Sequence, residues 1–134
     1  MPWQHVRISR FGGPEVLQMT EEPTIPDPGP GEVRIKVLAA GTGFTDTMIR
    51  RGRYPDFKGP LPFTPGYEIV GVVEKVGPGV AGLLERQMVA DLCVVGGYAQ
   101  YAIAQRASSC QSLKVSILPK RCASLLHISP PFRC

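Results

Sequence analysis

Val33-Arg34-Ile35-Lys36-Val37-Leu38-Ala39-Ala40-Gly41-Thr42-Gly43-Phe44-Thr45-Asp46-Thr47-Met48-Ile49-Arg50-Arg51-Gly52-Arg53 decides how the rest of the chain reads. Val33, Ile35 and Val37 alternate with Arg34 and Lys36, the period of a strand with one buried and one wet face. The alternation stops at Leu38-Ala39-Ala40. Gly41 and Gly43 then allow a turn that a side chain would obstruct. Thr45 or Asp46 is expected to cap a short helix running towards Arg51, because either side chain accepts a bond from a free amide of the first turn. Strand, glycine turn and capped helix form either an ordinary corner or a junction that presents side chains at the floor of a cleft.

Outward from this junction the chain reads as short strands joined by glycine and proline corners. Gln4 to Ser9 is a first strand, with His5, Arg7 and Ser9 on one face and Val6 and Ile8 on the other. Gly12-Gly13-Pro14 turns it into a returning strand from Val16 to Thr20. Pro23 to Gly31 is a stiff extended connector, because each proline biases its predecessor to extended backbone. Tyr54 to Pro65 is a rigid loop of aromatics and prolines that either lines a pocket or covers the core. Ile69 to Val76 is a buried strand in which Gly71 marks a bulge or a close backbone contact. Glu68 at its start either needs a buried partner or sits at the strand mouth in water. Met88 to Val95 and Tyr98 to Ile103 are further strands around a Gly96-Gly97 turn. About six strands and one short helix predict a mainly β fold, a small and partly open β-barrel.

The 134 residues suffice for one domain with a core. Fifteen glycines and fourteen prolines favour many short elements over long helices. No apolar run reaches the roughly eighteen residues of a membrane-spanning helix. The start lacks the basic-then-apolar profile of a secretory leader, so the cytoplasm is the expected compartment.

Composition breaks near Gln105. Residues 1–104 carry all the glycines and acids, with ten Lys or Arg against eleven Asp or Glu. Residues 105–134 carry no glycine and no acid, and five Lys or Arg give them a charge of +5. The chain is thus a near-neutral body with a basic tail, which either binds RNA or an anionic partner or was never selected to fold. Leu113 to Leu118 passes as a strand by composition, and Ala123 to His127 as a helical turn, without a corner or cap for either. Two domains are expected: 1–104 as the body, and 105–134 as a divergent, disordered tail.

Cys110, Cys122 and Cys134 lie twelve apart, unlike the close pairs of zinc sites, and His5 and His127 have no ligand-spaced neighbour. No metal is expected. No nucleophile elbow, Gly-x-Gly-x-x-Gly after a strand or Walker loop is present, so these residues alone complete no active site.

Six motifs occur in order: Phe11-Gly12-Gly13-Pro14-Glu15-Val16-Leu17, Pro28-Gly29-Pro30-Gly31-Glu32-Val33, Ala39-Ala40-Gly41-x-x-Phe44-x-Asp46-Thr47, Arg50-x-Gly52-x-Tyr54-Pro55, Pro65-Gly66-Tyr67-Glu68 and Gly96-Gly97-Tyr98-Ala99-x-Tyr101. Over about residues 5–104 the chain resembles the N-terminal catalytic domain of the medium-chain dehydrogenase/reductases, in particular the zinc-independent quinone oxidoreductases. The resemblance implies a GroES-like barrel, here incomplete at its C-terminal end. It implies an NADPH-dependent enzyme that passes hydride to a quinone or an activated alkene in a cleft against a Rossmann domain. Zinc-dependent relatives place a cysteine at Gly43 and a histidine at Tyr67, so the family reading is also metal-free. It implies Tyr54 as the catalytic hydroxyl facing the substrate. Phe44 and Thr45 would lie along the cofactor's nicotinamide. Gly43, Met48 and Tyr67 would line the substrate pocket. Gly43 and Met48 stand where the quinone oxidoreductases usually have asparagine and often tyrosine, and Arg86 where a glycine is usual. The resemblance allows a dimer and implies no membrane or nucleic-acid partner.

The family continues well beyond this chain, so the change near Gln105 is expected to mark a frameshift or an alternative splice end. The expectation is a truncated oxidoreductase, inactive alone for want of the cofactor domain. The alternatives are a non-catalytic module that binds a partner or RNA through its basic tail, and a translation product without function.

Overall fold

A computed structural model describes residues 1–105 and the backbone of Ser116–Ile117. In chain order the elements are β1 (Trp3–Arg7), a single 3-10 turn (Pro14–Val16), β2 (Gln18–Glu22), β3 (Glu32–Ala40), α1 (Phe44–Arg50), β4 (Glu68–Val76), β5 (Met88–Leu92), β6 (Tyr101–Gln105) and β7 (Ser116–Ile117). β1 and β2 pair antiparallel from Trp3 opposite Glu22 to Arg7 opposite Gln18. The other strands form one antiparallel sheet in the order β6-β3-β4-β5-β7. The sheet is open within the described residues, so the expected mainly β, partly open GroES-like architecture with one short helix is what the chain adopts.

The alternation in β3 does what its period requires. Val33 and Ile35 are fully buried, Lys36 is exposed, and Arg34 lies on the wet face. Arg34 donates through Nε to Glu74 Oε2 at 2.7 Å and approaches Asp27 Oδ1 at 3.1 Å, which Lys75 Nζ also reaches at 2.8 Å. Asp27 belongs to the proline-rich connector, so this charge cluster ties the connector to β3 and β4. Under the sheet, Val33, Ile35, Ile69, Val73, Leu83, Val89, Ala102 and Ala104 make the core. Each fully buried aliphatic side chain contributes roughly 1.5–3 kcal/mol of transfer free energy.

Gly71 proves to be both a close approach and a site of irregular pairing. A Cβ there would lie 2.4 Å from the Lys36 carbonyl oxygen. The β3–β4 register shifts beside it, between Val37 and Ala39. Only a residue without a side chain lets β3 pass at that distance.

Three local expectations are corrected. β1 spans Trp3–Arg7 instead of Gln4 to Ser9, and His5 is buried although Arg7 on the same face is not. The His5 ring stacks on Trp3 at 4.9 Å, and its Nδ1 lies 2.7 Å from Thr64 Oγ1, so tertiary contacts override the simple alternation. Val16 belongs to the 3-10 turn rather than to a strand, because Pro14 holds φ near the helical value. The last strand starts at Tyr101, three residues later than expected. Tyr98 and Gln100 bond instead to β1: Val6 N–H donates to Tyr98 O at 2.8 Å and Gln100 N–H to Gln4 O at 3.0 Å. This segment thereby joins the small sheet to the large one.

Of residues 105–134, expected to be disordered, Gln105 ends β6 opposite Glu32, and the rest apart from the backbone of Ser116–Ile117 lie outside the described residues. Within that stretch, Ser116 pairs with Ala90 and Ile117 with Val89. β5 therefore carries a short strand on the flank that the sequence left open.

Candidate active site

The helix start differs from the expected cap and is the key to the site. Gly43 is the N-cap in extended backbone, and Phe44 is the first helical residue. Asp46 is therefore the third residue of the helix, from which a carboxylate reaches back to the free amide at the start. Asp46 is 6% exposed. Its Oδ2 accepts from Gly43 N–H at 2.8 Å and its Oδ1 accepts from Tyr67 N–H at 2.9 Å. One buried carboxylate thus ties the turn before α1 to the residue that leads into β4.

Tyr67 is held from other sides as well. Its carbonyl accepts from Val94 N–H at 3.1 Å, and Gly97 N–H donates to the Gly66 carbonyl at 3.1 Å. Gly66 has φ 113°, and a Cβ there would meet Tyr98 N at 2.4 Å, so both its conformation and its surroundings require glycine. Cys93 donates its thiol to the Gly66 carbonyl at 3.2 Å. Burial foremost, and then the neighbouring Asp91 charge, push the Cys93 pKa up to about 12. That thiol is a structural donor rather than a nucleophile.

Tyr54 comes from the loop after α1, where Arg53 N–H donates to Met48 O at 2.8 Å. Its hydroxyl oxygen lies 3.3 Å from that of Tyr67, and the rings meet edge to face at 6.1 Å. The hydrogen bond to Tyr67 is the main reason that the Tyr54 pKa is pushed up to about 12, with desolvation second. At neutral pH Tyr54 therefore keeps its proton and is a hydrogen-bond donor, not a base.

Of the residues nominated from sequence, the structure brings together Tyr54, Tyr67 and, through Asp46, Gly43. Phe44, Thr45 and Met48 share one side of α1 by their helical spacing. No hydrogen bond or ring contact among the described residues joins them to the tyrosine pair. The Phe44 ring is 79% exposed, and Thr45 and Met48 are half-buried. Glu68 is exposed, which settles its reading as a strand-mouth carboxylate. Asp46 is the functional residue that sequence reasoning undervalued, as a cap only. The signal was present, since an acid three residues after a turn glycine is the spacing of a capping box.

A cavity of about 670 Å³ is lined by Asp46 together with Val6, Lys36, Val37, Arg50 and Tyr98 among others. None of the six nominated residues lines it. The Tyr98 hydroxyl is buried near it without a hydrogen-bond partner among the described residues, and burial raises its pKa. Tyr54 and Tyr67 are half-buried and stand outside its lining. Among the described residues no group of three or more His, Cys, Asp and Glu side chains is placed to hold a metal ion, and no helix is long and apolar enough to cross a membrane. The residues present fit one edge of a nicotinamide, for which the exposed Phe44 ring offers a flat apolar wall. They offer no glycine-rich phosphate cradle at a helix start.

Comparison with known proteins places this geometry. Residues 29–115 match the family model described as the alcohol dehydrogenase GroES-like domain, a match that runs past the break near Gln105. The quinone oxidoreductase of Lama guanicoe is 43% identical over 100 residues, covering 74% of this chain and 30% of that protein. The structure of a mycobacterial quinone oxidoreductase superposes with a TM-score of 0.68 at 37% identity, over 77% of this chain and 31% of that one. A mycobacterial protein solved in complex with NADPH superposes with a TM-score of 0.67 at 36% identity, over 77% of this chain and 30% of that one. The chain thus spans about 30% of the length of the curated relatives it matches.

Proposed function

The chain belongs to the alcohol dehydrogenase GroES-like domain family of the medium-chain dehydrogenase/reductases, and from that premise we propose that it is the catalytic-side portion of a zinc-independent, NADPH-dependent oxidoreductase acting on a quinone or an activated alkene. The observation that carries the reading is the tyrosine pair, two hydroxyl oxygens 3.3 Å apart, with the Tyr67 backbone anchored by a buried carboxylate. The similarity to quinone oxidoreductases and to an NADPH-bound relative supports the substrate class and the cofactor. The cytoplasm and a dimer fit the same family reading.

NADPH supplies hydride when bound. Phe44 and Thr45, at the start of α1, form the wall along which the nicotinamide lies. Gly43 keeps that wall free of a side chain. Met48 and Tyr67 bound the substrate, and the hydroxyl pair of Tyr54 with Tyr67 donates a hydrogen bond to the substrate oxygen. A preorganised donor aimed at an oxygen that gains negative charge stabilises the transition state without a metal ion. Asp46 holds Tyr67 and the Gly43 turn without touching the substrate. The residues that bind the nucleotide's phosphates belong to the part of the family outside this match. These 134 residues by themselves therefore do not turn over.

The test is a chimera in which residues 1–104 replace the corresponding part of the Lama guanicoe quinone oxidoreductase. NADPH-dependent quinone reduction, unaffected by chelators and lowered about 100-fold or more by Tyr54→Phe with Tyr67→Phe, supports the reading. A folded chimera that binds NADPH and reduces no quinone would sink it.

A further inference from the structure

Two hydroxyls in contact hold two protons, of which one lies between the oxygens and the other is free to donate outward. The pair therefore offers the substrate one proton, and the division of labour between Tyr54 and Tyr67 decides from which ring it comes. The two residues are anchored unequally. Tyr67 is fixed through its backbone on three sides: Asp46 Oδ1 on its N–H at 2.9 Å, Val94 N–H on its carbonyl at 3.1 Å, and the Gly66 turn packed against Tyr98. Tyr54 sits in the loop that follows α1, and its own carbonyl accepts only a long bond, from Phe57 N–H at 3.4 Å. A donor in a hydride-transfer site gains from a fixed position, since small misplacements cost rate. An oxygen that accepts a hydrogen bond also becomes a stronger donor through its own proton.

We infer that Tyr67 is the residue that touches the substrate oxygen, and that Tyr54 is a positioning residue whose hydroxyl donates into the Tyr67 oxygen and aims the remaining proton outward. The pair consists of two phenol hydroxyls and includes no carboxylate or imidazole. It suits an acceptor carbonyl, as in a quinone or an enone, rather than an alcohol that must lose a proton. This inference rests on the quinone reading above and reassigns the donor within it.

The probe is duroquinone, whose four ring carbons are blocked against thiol addition, bound to the purified chain. Affinity and the carbonyl stretching frequency are measured for the wild type, Tyr54→Phe and Tyr67→Phe. Tyr67→Phe is expected to return the carbonyl band to its free position and weaken binding about tenfold, the share of one net hydrogen bond. Tyr54→Phe is expected to leave a smaller downshift in place and weaken binding about two- to threefold. The reverse pattern overturns the inference and leaves the quinone reading standing. No binding to the wild type at millimolar probe, or a band unshifted in the wild type, overturns both. Carbon-13 labelling of the tyrosine rings guards against misfolded variants. In the free chain, Tyr67→Phe must move the Tyr54 Cζ resonance, and an unmoved resonance in a folded variant overturns the pairing itself.

Discussion

Arg86 is the simplest residue at which sequence and structure can be set against each other by measurement. It holds φ 71°, a left-handed conformation, because its N–H must donate to the Val73 carbonyl at 2.7 Å in the turn before β5. A side chain there costs about 1–2 kcal/mol that glycine avoids. Arg86→Gly should therefore raise stability by about 1 kcal/mol in urea unfolding; an unchanged or lowered midpoint contradicts the account. The sequence made this position legible by similarity alone, as a departure from a usual glycine. Asp91 was not legible at all. It follows β-branched and small residues in a strand and reads as an ordinary wet-face acid, yet it is 3% exposed and neither carboxylate oxygen has a hydrogen-bond partner among the described residues. Burial raises its pKa above the ordinary value. The folded state then binds the Asp91 proton more tightly than the unfolded state does. Its contribution to stability is complete below the unfolded pKa and is lost as pH rises through the folded one. Asp91→Asn should flatten that decline and add on the order of 1 kcal/mol at pH 7. Equal pH slopes for the two proteins in denaturant titrations between pH 4 and 8 would refute the burial argument.

At the scale of the element, the β3–turn–α1 unit carries the account. β3 was readable because its period is two and its buried side chains are β-branched. The turn was readable because two glycines end the period. The start of α1 was misplaced because both Thr45 and Asp46 are good N-caps by type, and only the tertiary partner decides between capping and reaching back. That partner, the Tyr67 amide, lies twenty-one residues away, beyond any local pattern. The burial of His5 escaped for the same reason, since Trp3 and the distant Thr64 determine it. Asp46→Ala removes the acceptor for two amides at once. It should destabilise the domain by about 2–4 kcal/mol, given roughly 1.5–3 kcal/mol for a hydrogen bond to a charged group. Asp46→Asn, which keeps one acceptor, should recover about half. Amide exchange at Gly43 and Tyr67 should quicken in both variants, and unchanged protection at both amides in Asp46→Ala would show that the clamp holds nothing.

For the whole molecule, most of the fold was legible because glycine and proline corners divide it into strands short enough to read one by one. The site was legible less from chemistry than from the order of six motifs, since two tyrosines thirteen residues apart carry no local signal of contact. What the sequence could not show is that a cavity of about 670 Å³ is lined by Asp46 while neither tyrosine of the half-buried pair lines it. On the proposed reading, the nucleotide's phosphates are bound by residues outside this match. The most direct measurement is therefore a fluorescence titration of the purified 134-residue chain with NADPH, with quinone reduction followed on the same sample. The account predicts no saturable NADPH binding and no turnover. Tight, saturable binding with turnover would contradict it, because these residues would then contain the nucleotide site that the account assigns elsewhere.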